Sequence, residues 1–200
     1  AETEGVEQED WQNGWRKYYH PMDIGKRLAI VPSWQEYDTD RVKLILDPGL
    51  AFGTGGHETT SLCLEALDER VRGGERVLDI GTGSGILAIA ALKLGAGSAE
   101  GVDIDPVAVR TAGENAALNG VGRDRYTVRW GDVVTDQALR QELGGPYDVV
   151  VANIVADVIM GLSGSVRGFL KPGGLFLCSG IIDDRAQEVL EKLKADGWDV

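Results

Sequence analysis

Three glycines at alternate positions, Gly81, Gly83 and Gly85, follow the apolar run Val77-Leu78-Asp79-Ile80 and precede the alanine-rich stretch Ile86 to Leu94. A strand that runs into such a turn and then into a helix can hold a nucleotide-like ligand. Glycine permits positive φ and lets a ligand approach the main chain with no Cβ in the way, while the helix offers unpaired N–H groups. The spacing then chooses among ligands. The dinucleotide fingerprint G-x-G-x-x-G would put its third glycine at Ile86; here it stands one residue earlier, at Gly85, so NAD is the lesser reading.

Four polar residues fall where strands of this pattern end. Asp103, near the close of Ala99 to Ile104, can accept from both hydroxyls of a ribose, a role that needs an acid about 20 residues beyond the glycines. Asp105 competes for that role, but Pro106 follows it, and proline suits the first position of a helix that Asp105 would cap. Asp132 could accept from an exocyclic adenine amine or serve only as a turn. Asn153 comes near the end of the strand Tyr147 to Ile154, after the unbroken apolar run Val149-Val150-Val151. A neutral amide there must find partners for its oxygen and nitrogen, and it would reach the reactive centre. His57 lies in a glycine-rich loop, where bracing the backbone competes with accepting a proton, and it is left out of the catalytic set.

Such residues need a scaffold that brings strand ends to one edge. Short strands are expected over Leu28 to Val31 and Lys43 to Leu46, followed by a helix from about Glu58 to Arg70. Strand and helix then alternate. Strands fall at Arg76 to Ile80, Ala99 to Ile104, Tyr126 to Trp130, Tyr147 to Ile154 and Leu175 to Ser179. Helices are expected over Ile86 to Leu94, from Pro106 to a stop at Gly120, and over Gln137 to Leu143, Asp157 to Phe169 and Asp184 to Ala195. The order predicts an α/β fold with a doubly wound, mostly parallel sheet, ligands lying outside the carboxyl ends of its strands. Trp198-Asp199-Val200 reads as the start of one more strand, so the sheet is expected to be cut short at its C-terminal edge. Ahead of all this, Trp11, Trp15 and Tyr18 recur at helical intervals, as one face of a packed helix would.

The 200 residues suit one domain, and 28 glycines at turns and strand ends form no repeat. A net charge of −12 repels phosphate backbones, which argues against nucleic acid as a partner, although excess acid also serves solubility. Cys63 and Cys178 read as buried free thiols of a reducing compartment. With five acids in the first ten residues and no apolar run of membrane-spanning length, the expectation is a soluble, cytoplasmic protein with no membrane partner.

Asp79 with G-x-G-x-G resembles the first motif of the class I S-adenosylmethionine-dependent methyltransferases. A larger set of residues is similar to one family among them, the ribosomal protein L eleven methyltransferases, over nearly the whole chain. Asp47-Pro48-Gly49-Leu50-Ala51-Phe52-Gly53-Thr54-Gly55-Gly56-His57-Glu58-Thr59-Thr60 resembles the family's loop D-P-G-x-A-F-G-T-G-x-H-x-T-T, departing at Gly56 and Glu58 from its usual threonine and proline. Gly81 to Ile89, Asp103-Ile104-Asp105-Pro106 and Ala152-Asn153-Ile154 follow in the family's order, and Trp11 to Trp34 is similar to its interdomain connector. The resemblance implies a connector at 1–45 and a cofactor-binding methyltransferase domain at 46–200. Thr60, Gly81, Asp103 and Asn153 would contact S-adenosylmethionine, with no metal. The substrate would be amines of the eleventh large-subunit ribosomal protein. The family's small substrate-recruiting domain precedes the connector and is not in this sequence.

Methyl transfer to nitrogen is an in-line displacement, so the protein chiefly holds a neutral amine lone pair opposite the leaving sulfur. At neutral pH a lysine of reference pKa about 10.4 costs about 4 kcal/mol to deprotonate and an α-amine about 1. No strong general base is evident, and Asn153 is the catalytic candidate, accepting a hydrogen bond from the amine and aiming it. Ile154-Val155 stand where the amino-methyltransferases of nucleic acids and glutamine carry prolines, which disfavours amide and adenine substrates. A small-molecule methyltransferase, an NAD-dependent oxidoreductase and a non-catalytic cofactor-binding module are the competing readings.

Overall fold

The computed structural model describes residues 20–46 and 58–200. The helix expected around Trp11 to Tyr18 and the whole loop from Asp47 to His57 lie outside the described residues.

Five parallel strands form the main sheet: β4 (Arg76–Ile80), β5 (Ser98–Asp103), β6 (Tyr126–Trp130), β7 (Tyr147–Asn153) and β8 (Leu170–Ser179), in the spatial order β6-β5-β4-β7-β8. The chain steps outward from β4 through β5 to β6, then returns to the other side of β4 for β7 and β8. Both faces are covered, as the apolar run of β7 requires. Val77, Val149 and Val151 point to one face, against Leu64 and Leu67 of α1 (Glu58–Arg70), the apolar helix α2 (Ile86–Lys93) and Ala112 and Ala116 of α3 (Pro106–Leu118). Leu78, Val150 and Ala152 point to the other, against Leu139 and Leu143 of α4 (Gln137–Leu143) and Leu162 and Val166 of α5 (Ala156–Val166). Helix α6 (Asp183–Ala195) adds Val189 and Leu193 to that second layer. The fold is the expected doubly wound α/β sheet.

Cys63 is buried with the α1 and α2 layer, whereas Cys178 packs against Ala156, Ile159 and Val189 on the opposite face. Both are free thiols, with a sheet between them, and burial pushes the Cys63 thiol up to about 11.

A second sheet precedes the main one. Its strands are β1 (Met22–Ile24), β2 (Leu28–Pro32) and β3 (Val42–Leu46), with β1 antiparallel and β3 parallel to the fully buried β2. Asp68 of α1 anchors it: one carboxylate oxygen accepts from the Lys26 and Arg27 N–H groups at 2.6 and 3.2 Å, the other from Arg27 Nε at 2.7 Å. Burial opposes ionisation of Asp68, but these donors together hold its pKa below the ordinary carboxylate value. Asn119, just past α3, accepts from the N–H of Ile45 at 2.8 Å and donates to its carbonyl at 2.7 Å, pinning β3.

Several boundaries differ from the expectation. β1 has three residues, too few to show a period. β8 begins at Leu170 and runs through Lys171-Pro172-Gly173-Gly174, expected as a stop. The register passes from Tyr147 opposite Leu170 to Val149 opposite Leu175, so those four residues form an irregularity in an outermost strand, where proline's missing N–H is tolerated. The helix expected from Asp157 to Phe169 is α5 followed by a 3-10 turn, Arg167–Phe169. Trp198 begins no strand. Its indole lies 5.3 Å from the Phe176 ring and donates to the Ser163 carbonyl at 3.0 Å, with the Arg167 guanidinium 4.7 Å over it.

Candidate functional site

At the carboxyl edge of β4, β5, β6 and β7 lies a cavity of about 330 Å³. Its walls are mainly apolar, from Ile104, Val133, Val134, Ile154, Val158 and Leu162, and Gly81, Asp103 and Asp132 add polar edges.

The glycine turn borders it through Gly81. Gly81, Gly83 and Gly85 have φ of 72°, 53° and 80°, a region that L side chains rarely adopt. A Cβ on Gly81 would strike Ile154 Cγ2, and one on Gly85 would press on Ala112 of α3 at 3.0 Å. The turn is fixed from below by Asp79, only 1% exposed. Its Oδ2 accepts from Thr82 Oγ1 at 2.7 Å and from the Ala88 N–H at 3.2 Å, and Thr82 in turn meets the Tyr126 hydroxyl at 2.9 Å. Oδ1 of Asp79 is buried with no hydrogen-bond partner among the described residues. Burial raises the Asp79 pKa to about 7, with the hydrogen bonds opposing and the Asp103 charge adding to the rise.

Asp103 is held from two sides. Its Oδ2 accepts from the Gly83 N–H and its Oδ1 from the Asp105 N–H, both at 2.9 Å, so the carboxylate is tied to the glycine turn at the cavity's edge. Both oxygens keep lone pairs, which suits a vicinal diol. Asp105 has the capping role, accepting from the Val107 N–H at 2.8 Å at the start of α3. Asp132 serves its own turn, bonding the Val134 N–H and Thr135 Oγ1 at 2.8 Å each, yet it borders the cavity.

Asn153 and Thr60 stand together beside the cavity rather than in its walls. Asn153 Nδ2 donates to Thr60 Oγ1 at 3.0 Å, across 93 positions of sequence, and Thr60 is 3% exposed. Asn153 Oδ1 is buried and, among the described residues, has no hydrogen-bond partner. The structure therefore brings Gly81 and Asp103 to one cavity and pairs Thr60 with Asn153 at its flank; His57 lies outside the described residues.

Sequence reasoning passed over the Thr82–Tyr126 bridge, the apolar walls and Gly180. The walls had a signal: an apolar residue follows each polar strand-end residue, in Asp103-Ile104, Asp132-Val133 and Asn153-Ile154. Among the described residues no His, Cys, Asp and Glu cluster could hold a metal ion, and no helix is long and apolar enough to cross a membrane.

A family model described as "Ribosomal protein L11 methyltransferase (PrmA)" matches residues 1–200. A ribosomal protein L11 methyltransferase of Clostridium perfringens (strain 13 / Type A) is 46% identical over 202 residues, covering 100% of this chain and 62% of that protein. The one from Caldicellulosiruptor saccharolyticus is 48% identical over 191 residues, covering 94% of this chain and 60% of its own length. The chain thus spans less than two thirds of these curated relatives. The crystal structure of ribosomal protein L11 methylase from Lactobacillus delbrueckii subsp. bulgaricus superposes with a TM-score of 0.81 at 35% identity, over 91% of each chain. Glycine turn, strand-end acid, buried amide and these similarities point the same way: the chain belongs to the ribosomal protein L11 methyltransferase family.

Proposed function

We propose that this chain binds S-adenosylmethionine and forms the methyl-transferring part of an N-methyltransferase. Its substrates are lysine side chains and the N-terminal α-amine of the eleventh large-subunit ribosomal protein. In this reading residues 1–45 are the connector and 46–200 the catalytic domain, working in the cytoplasm without a nucleic-acid or membrane partner.

The observation that carries the reading is the buried, uncommitted Oδ1 of Asn153 beside a cavity edged by Asp103 and by the Cβ-free turn at Gly81. These residues fit the cofactor. Asp103 would accept from the ribose hydroxyls, the apolar walls would enclose the adenine, Asp132 would receive its amine, and the turn would let the rest lie on bare backbone. When bound, S-adenosylmethionine supplies a methyl carbon on a positively charged sulfur. Asn153 Oδ1 accepts an N–H of the incoming amine, which leaves the lone pair to be aimed. Because the amide is neutral it gives an ammonium no ion-pair partner. Solvent takes the proton, and the protein's share of the rate comes from orientation.

Calorimetric titration should give heat with S-adenosylmethionine and none with NADH. Incubation of the full-length protein with the purified ribosomal protein should add methyl masses to it. Asn153→Ala should lose turnover more than cofactor affinity. Binding of NADH, or no heat with S-adenosylmethionine at millimolar levels, would refute the reading.

A further inference from the structure

Resting on the methyl-transfer reading, we propose that Thr60 is a positioning residue that decides which end of the Asn153 amide meets the incoming amine. A carboxamide has two ends of nearly equal shape and opposite function, since the nitrogen donates twice and the oxygen only accepts. A neutral amine that aims its lone pair at a carbon has only N–H groups left to offer. It therefore needs the oxygen.

The structure commits the nitrogen elsewhere. Nδ2 donates to Thr60 Oγ1 at 3.0 Å, while Oδ1 has no partner among the described residues. With Thr60 buried, water does not compete for its hydroxyl. Turning the amide over would let that hydroxyl donate to Oδ1, but it would leave both N–H groups of Nδ2 without acceptors in place of one N–H and one oxygen, and would offer the incoming amine no acceptor.

Gly180, at φ 82°, packs beside Oδ1 with no side chain of its own. A Cβ there would lie 3.0 Å from Asn153 Oδ1 and 2.8 Å from both N and O of Ile154. One further bond holds α1 against the end of β8, Ser179 Oγ donating to the Thr59 carbonyl at 3.3 Å, and the Ile154 N–H, donating to the Ser179 carbonyl at 3.0 Å, ties the ends of β7 and β8 together. Thr60 thus stands on a helix clamped to the strands whose ends carry the amide. The bonds that hold Asp103, by contrast, come from Gly83 and Asp105 and do not pass through Thr60.

The test compares Thr60→Val, which keeps the shape and removes the acceptor, with Thr60→Ser, which keeps the hydroxyl. Three quantities are read on the full-length protein: S-adenosylmethionine affinity by calorimetry, kcat with the ribosomal protein, and the side-chain amide resonances of Asn153 by nitrogen-15 NMR. In Thr60→Val, kcat should fall about tenfold to a hundredfold and by a larger factor than cofactor affinity, which loses only the contact the Thr60 hydroxyl itself would make, and the Asn153 amide signals should shift and exchange faster. Thr60→Ser should restore both. The proposal is overturned if Thr60→Val keeps the wild-type kcat or amide signals, if it loses cofactor affinity by the same factor as turnover, or if serine fails to rescue. Absence of S-adenosylmethionine heat in the wild type would sink the methyl-transfer reading instead, and the amide signals would still decide whether Thr60 holds Asn153.

Discussion

Replacing Asp79 by asparagine tests whether the carboxyl group under the glycine turn keeps its proton near neutrality. Its Oδ1 is buried without a described partner, so an ionised carboxylate would leave charge on an oxygen that nothing stabilises. Burial accordingly lifts its pKa to about 7, against an unfolded value of about 3.9. Between those two values the folded protein holds a proton that the unfolded chain has released. Stability from this group is therefore full below about pH 4 and is lost as pH rises, at about 1.4 kcal/mol per pH unit and about 4 kcal/mol in all by pH 7. Asparagine cannot titrate. Its amide nitrogen would take the unpartnered position and cost about 1–3 kcal/mol at every pH. Urea unfolding of both proteins from about pH 5 to pH 8, with the variant's stability subtracted, should give a difference that falls for the wild type up to about pH 7 and then levels. A flat difference between pH 5 and 7, or one that grows in the wild type's favour, would show a carboxylate that is ionised when folded and refute the reasoning.

Asp103→Asn should weaken S-adenosylmethionine binding by about tenfold to a hundredfold in calorimetry, because the new amide nitrogen must face the Gly83 or Asp105 N–H and one acceptor is lost; unchanged affinity would remove Asp103 from the site. Gly81→Ala should cost about 1–3 kcal/mol in urea unfolding, from a φ of 72° and the collision with Ile154, and an unshifted midpoint would contradict the turn. Asp68→Ala should cost about 2–4 kcal/mol, since the Lys26 and Arg27 N–H groups and the Arg27 guanidinium lose their acceptor. Its folded pKa is held down, so its contribution is present above about pH 4 and lost as pH falls through the folded value; the variant's acid unfolding should lack that component.

What could be read from the sequence was local. Asp105 caps α3 two residues on, Pro106 fits the first helical position, and the glycines answer a turn whose φ values are set within five residues. Alternating strands and helices dictated the sheet because an apolar run such as Val149 to Val151 can be covered only on both faces. Long-range pairings left no such trace. β1 is three residues long and takes its place from the Asp68 carboxylate 42 positions from Lys26, and β8 continues through Pro172 because only one of its sides faces a neighbouring strand. Asp79 looked like part of a motif; its burial against Thr82 and Tyr126 depends on β5 and β6 lying on one side of β4.

The same division separates grip from chemistry within the site. Both bonds to the Asp103 carboxylate are made by residues of the loops leaving β4 and β5, so the proposed cofactor contact is built from neighbouring strands of one half of the sheet. Asn153 belongs to the other half and is oriented by α1, an element that arrives through residues 93 positions earlier. A change that displaces α1, such as loss of the Asp68 anchor, should thus disturb the aim of the amide while Asp103 keeps its geometry. Turnover is then expected to fail before cofactor binding does as the contacts of α1 are weakened one by one, and the reverse order would mean that the two halves of the site are held together by bonds other than these.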